Sequence, residues 1–233
     1  MIKVNQEITN VMKSFNVDIK INMGILNNLV NNHLTETTNI ALGMIKYLPK
    51  SVQKDVNRTA LRNATGLHDI AKVIMPESII NKPGKLNEEE LKIMREHARL
   101  SYEMLKTTDL DTESLDLIKA HHESHQHHKA SIPFFVRKAD VTNINLQILS
   151  IADIYSALRE KRSYRDEISQ EKALSIIKEE TDRGKFHTCV YQALVKYAQN
   201  EEVCAENATK SRMNVFKQIL DRAKAKAQKQ VAV

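Results

Sequence analysis

Apolar residues recur at three- and four-residue spacing along most of the chain, the signature of helices that each bury one face. From Ile25 a stripe runs through Leu26, Leu29, Val30 and His33, then Ile40, Ala41, Met44, Ile45 and Leu48, until Pro49 stops it. A second helix is predicted over about 52–70, followed by a turn at Lys82-Pro83-Gly84-Lys85. Asn87 is a good N-cap with Glu90 in the capping-box position, and the helix it opens is predicted to run to about 105. Further helices are predicted over about 113–122, 143–159, 173–180 and 186–197, with Ser169 capping and Gly184 closing the third of these. An Ala/Lys/Gln-rich amphipathic helix is expected over about 206–229. The fold class is all-α.

Composition sharpens this reading. The chain has 233 residues, of which only five are glycine and four proline, where average usage would give about 16 glycines. A meander of many short strands lacks the turn residues it needs. No GxGxxG or GxxxxGK[ST] spacing exists, so a glycine-built phosphate cradle is excluded. The net charge of +6 suits an anionic partner and equally a solubility margin. Part of it lies in Arg222, Lys224, Lys226 and Lys229, a run that reads as a contact surface or as a solvated helix face. Two cysteines without CxxC spacing fit a reduced cytoplasm, and no apolar run approaches the ~20 residues of a membrane span.

The candidate chemistry is histidine and carboxylate. His68-Asp69 ends an apolar helix, and a neutral imidazole beside a carboxylate suits Fe, Mn, Zn or Mg. A carboxylate has two oxygens and can bridge two ions. His121-His122 ends another helix, and Asp153 sits inside the apolar run Ile148-Leu149-Ser150-Ile151-Ala152-Asp153-Ile154, where an unpaired carboxylate is expensive. His33 and His97 occupy core-facing helix positions. Each of these also has a plain structural reading: a solvated Asp, or a hydrogen-bonded core histidine.

In order and context the chain resembles the HD-GYP family, a bacterial branch of the HD-domain metal-dependent phosphohydrolases. Leu67-His68-Asp69-Ile70-Ala71-Lys72 is similar to LLHDIGK. The stretch from Met75-Pro76 through Lys82-Pro83-Gly84-Lys85-Leu86 to Glu88-Glu89 is similar to IPDxILxKPGxLTxEE. Met94 to His97 matches MxxH, His121-His122-Glu123 matches HHE, and Ile132-Pro133 resembles the IP before the next helix. Ile148 to Leu158 resembles ILxVADVYDAL, Arg162-Ser163-Tyr164-Arg165 resembles RPYR, Ser169 to Leu174 resembles SxEEAL, and Gly184 to Val190 resembles GxxFDPxLV.

The resemblance spans about 23–198. While the chain's own pattern leaves a short helical lead over 1–22 and a C-terminal amphipathic helix over 201–233, the resemblance implies an HD-domain helical bundle over 23–200. It implies metal ligands at His33, His68, Asp69, His97, His121, His122 and Asp153, with Asp69 bridging and Lys72 beside the metals near the substrate phosphate. Arg162 and Arg165 match basic positions that contact dinucleotide phosphates. Family members with a third metal use a Glu where this chain has Leu29, so two divalent ions, Fe or Mn, are expected. The implied activity is hydrolysis of cyclic di-GMP or a related cyclic dinucleotide to the linear form and on to GMP, by a cytoplasmic enzyme with a protein partner in bacterial signalling. Neither a membrane span nor a nucleic-acid partner is expected.

One element departs from the family pattern. After His121-His122-Glu123 the chain reads Ser124-His125-Gln126-His127-His128-Lys129-Ala130-Ser131-Ile132-Pro133, without GYP, and 31 positions separate His122 from Asp153. His125, His127 and His128 fit an accessory metal site, a pH-sensitive lid or an exposed polar loop. Two alternatives to the phosphodiesterase follow: a catalytically weak module that binds a cyclic dinucleotide and signals to a partner, or an HD phosphohydrolase acting on another nucleotide.

Overall fold

Helix starts in this chain are set largely by asparagine. The structure, a computed structural model, describes residues 4–122, 143–160 and 167–200. Among the described residues the elements are α1 (Gln6–Ser14), α2 (Met23–Asn31), α3 (His33–Met44), α4 (Lys50–Gln53), α5 (Arg58–Leu67), α6 (Glu77–Ile80), α7 (Glu88–Arg95), α8 (His97–Leu105), α9 (Thr112–Ala120), α10 (Ile144–Arg159), α11 (Gln170–Asp182) and α12 (Thr188–Gln199). Two 3₁₀ turns, Ile45–Tyr47 and Ile70–Ile74, complete them. Asn5, Asn22, Asn57, Asn87 and Asn143 each accept a first-turn backbone N–H, satisfying a donor that the helix leaves open. At Asn87 the capping box is complete. The Arg162 and Arg165 positions, the histidines 125, 127 and 128, and the expected C-terminal helix lie outside the described residues.

The bundle is built around α3, which packs against α5 and α10; α5 packs in turn against α9, and α9 against α8. Their shared interior holds Ile40, Ala41, Met44, Leu61, Ala64, Leu100, Leu117, Ile148, Leu149, Ile151 and Tyr155, all fully buried or nearly so. Ile8 and Met12 of α1 enter the same core. At the far end α12 crosses α3 so closely that a Cβ on Gly43 would lie 2.3 Å from the Tyr197 ring.

Three expected helices are divided. The stripe over 25–48 breaks at Asn32, whose φ of −116° and ψ of −90° leave the helical region and separate α2 from α3. The segment over 52–70 becomes α4, α5 and the 3₁₀ turn Ile70–Ile74, because the Asn57 cap restarts the chain. The segment over 87–105 divides at Glu96 into α7 and α8. Apolar periodicity passes through these breaks because both sides face one core, so spacing alone does not reveal them.

Candidate metal centre

The breaks coincide with the candidate ligands. His33 and His97 are the first residues of α3 and α8, and His68 and His121 are the C-caps of α5 and α9. Asp69 follows His68, His122 follows His121, and Asp153 projects from the middle of α10. All seven meet in one place. Six are buried, and His122 is half-buried. Three groups have ligand atoms within 4.8 Å of one another: His97 with His121 and His122, His33 with His68 and Asp153, and His68 with Asp69 and His121.

Hydrogen bonds fix which ring nitrogen faces inward. The Nδ1 atoms of His68, His97 and His121 lie 3.0, 2.5 and 2.7 Å from the carbonyls of Thr65, Met94 and Ile118. A carbonyl only accepts, so each Nδ1 carries a proton, and the neutral form of each ring presents a bare lone pair at Nε2. Yet Nε2 of His97 lies 3.3 Å from Nε2 of His121 and 2.9 Å from Nε2 of His122. Lone pairs converging in a dry site repel unless a cation lies among them. Nε2 of His33, Nε2 of His68 and Oδ1 of Asp69 are buried without a hydrogen-bond partner, which is costly in an apolar interior. The donor set fits borderline-to-hard divalent ions.

Asp69 stands between the two sides. Its Oδ1 lies 3.1 Å from His97 Nε2, while its Oδ2 lies 3.4 Å from His33 Nε2, 3.7 Å from His68 Nε2 and 2.5 Å from Lys72 Nζ. Burial pushes its carboxyl pKa up, but the Lys72 charge, then His68 and His97, hold it well below the usual range. Asp153 behaves alike: burial raises it, and the neighbouring His33 and His68, 3.1 and 3.6 Å from its Oδ1, outweigh that. Burial pulls His33 down, but Asp153 and Asp69 overcome it and raise its pKa to about 9. His121 is held well below its ordinary value, first by burial and then by the neighbouring histidines.

Residues not singled out in the sequence hold this cluster together. The Ser150 hydroxyl donates to the His121 carbonyl at 2.8 Å, and the Ala71 N–H donates to Ser101 Oγ at 3.0 Å. Ser156 Oγ lies 3.3 Å from Nδ1 of His33. A buried serine in a helix carries no pattern that distinguishes such a role. Leu29, the apolar residue from which two ions and not three are expected, packs into the hydrophobic core.

The family described as HD domain matches residues 22–188. The chain is 29% identical over 151 residues to the cyclic di-GMP phosphodiesterase response regulator RpfG of Xanthomonas campestris, covering 64% of this chain and 39% of that protein. It is 36% identical over 108 residues to the 3'3'-cGAMP-specific phosphodiesterase 2 of Vibrio cholerae, covering 46% and 20%. It is also 28% identical over 132 residues to a cyclic di-GMP phosphodiesterase of Thermotoga maritima, covering 56% and 34%. The chain spans between a fifth and two fifths of the length of these curated relatives. No helix among the described residues is long and apolar enough to cross a membrane.

Proposed function

The chain belongs to the HD-domain family, and from that premise we propose that it is a two-metal phosphodiesterase that hydrolyses a cyclic dinucleotide, cyclic di-GMP or 3'3'-cGAMP. The observation that carries the reading is the division of the Asp69 oxygens, one toward His97 and the other toward His33 and His68. His33, His68 and Asp153 would hold one divalent ion, and His97, His121 and His122 the other, with Asp69 shared. Iron or manganese fits imidazole and carboxylate donors. When bound, such a pair supplies Lewis acidity for a phosphate oxygen and lowers the pKa of a water.

The protein's own groups do the rest. Lys72 keeps an ammonium 2.5 Å from Asp69 Oδ2, half-buried at the edge of the cluster, where it can also meet a phosphate oxygen. Asp69 and Asp153, held ionised by their neighbours, offer carboxylates across the neutral range. Arg162 and Arg165 supply forked donors for the substrate phosphates. The catalytic unit is assigned to 23–200, with 1–22 as a lead and 201–233 as a C-terminal helix, in a cytoplasmic protein that signals through another protein.

The test is elemental analysis of anaerobically purified protein, followed by chromatography of cyclic di-GMP and 3'3'-cGAMP after incubation. Two ions per chain and linear dinucleotide are expected, and Asp69→Asn removes both the ions and at least about 100-fold of the rate. A fully loaded protein inert to both substrates would overturn the reading. The missing GYP after His122 favours one alternative, a dinucleotide-binding module, which calorimetry would reveal as tight binding without turnover.

A further inference from the structure

We propose that Ser156, backed by Glu160, is the positioning residue for His33, and that α10 thereby sets two of the protein contributions, Asp153 and the orientation of His33, to one of the two ions. The inference rests on the two-metal reading and adds to it the group that orients one ligand.

His33 differs from its three counterparts. His68, His97 and His121 each donate Nδ1–H to the carbonyl three residues earlier. For His33 that carbonyl belongs to Val30, on the far side of the Asn32 break, and it accepts from the Thr35 hydroxyl instead. The orienting acceptor therefore comes from another helix. Nδ1 of His33 points at the end of α10, where Ser156 Oγ lies 3.3 Å away and Oε2 of Glu160, the residue capping the helix, lies 3.9 Å away. Ser156 is only 2% exposed and occupies the turn after Asp153.

The chemistry requires such an acceptor. A neutral imidazole that ligates through Nε2 must keep its proton on Nδ1, and the partner of that proton fixes both tautomer and ring angle. A cleft of about 380 Å³ opens on this side, lined by Asn31, Asn32, His33, Thr35, Ser156 and Glu160 among others. Without Ser156, water in that cleft competes for Nδ1 and the ring gains freedom to turn. Asp153 and Ser156 lie three residues apart on one helix, so the ligand carboxylate and the orienting hydroxyl move together.

The consequence is selective. Losing Ser156 weakens the ion bound by His33, His68 and Asp153, and spares the ion bound by His97, His121 and His122. The experiment titrates the full chain with Mn²⁺ and counts free Mn²⁺ by electron paramagnetic resonance, comparing the unsubstituted protein with Ser156→Ala, Ser156→Thr and Glu160→Gln. In Ser156→Ala one ion keeps its affinity and the other weakens by about 10–100-fold. Ser156→Thr restores it by returning the hydroxyl, and Glu160→Gln gives a smaller loss at the same ion. Equal weakening of both ions, as a loosened fold would give, or unchanged binding of both, overturns the proposal. Unsubstituted protein that binds no Mn²⁺ overturns this proposal and the function together. Protein that binds two ions yet hydrolyses no cyclic dinucleotide overturns the function alone, and the affinity comparison still decides the role of Ser156.

Discussion

The hydroxyl of Ser150 donates a 2.8 Å hydrogen bond to the carbonyl oxygen of His121, joining the middle of α10 to the end of α9. Both residues are fully buried, so no water replaces the donor if it is removed. Ser150→Ala should cost about 1–3 kcal/mol of stability, the penalty of a buried carbonyl left without a partner. Urea denaturation of metal-free protein measures this, and a loss near zero would mean that α9 finds another donor.

Among the described residues the ion-pair partner of Lys72 is Asp69, and the lysine's proposed second role is to meet a substrate phosphate. Lys72→Met should lower kcat/KM by about 100-fold, the scale of one preorganised donor, with metal content unchanged. If the ions leave together with the activity, Lys72 serves the metal centre and not the phosphate.

The metal-free protein should have a window of pH stability with a cause at each edge. The His33 pKa of about 9 lies above its ordinary 6.5 because Asp153 and Asp69 outweigh burial. That stabilisation is complete below about pH 6.5 and fades as pH rises through about 9. The carboxyls of Asp69 and Asp153 lie well below their ordinary 3.8, so their contribution is present above that value and is lost as pH falls through the depressed ones. Thermal melts of metal-free protein should therefore decline between pH 7 and 9, and Asp153→Asn should flatten that decline. A divalent ion held by His33 would take the place of the ring proton, so Mn²⁺-loaded protein should lack the alkaline loss.

Gly43 lets α3 and α12 meet. The Cβ of Gly43→Ala would lie 2.3 Å from a Tyr197 ring carbon, and a ring packed between two helices yields less readily than a flexible chain. Overpacking of this kind costs about 1–3 kcal/mol. A lowered melting temperature with unchanged metal stoichiometry is expected, since the contact lies away from the histidines.

Helical class, the α10 boundaries and the capping box at Asn87 were legible in the sequence because local chemistry specifies them. The divisions at Asn32 and Glu96 were not, since apolar spacing continues across both. Asn22 and Asn57 were available as signals, for each is an N-cap residue standing ahead of a helix. The candidate ligands could be named from the family resemblance, and the fold brings all seven together. Ser150 and Ser156 could not be named, because their roles depend on which helix lies opposite, a relation between segments about thirty or more than a hundred positions apart. In the same way, Glu160 becomes part of the site only through the break that denies His33 the Val30 carbonyl.

Four of the ligand histidines sit at helix ends, on segments roughly thirty residues apart along the chain, a spacing at which loop closure carries a real entropic cost. Cations seated among them would act as reversible cross-links, closing several chain loops at once in the manner of disulfides that a chelator can open. Metal supply would then govern how long the protein survives a protease as well as how fast it turns over.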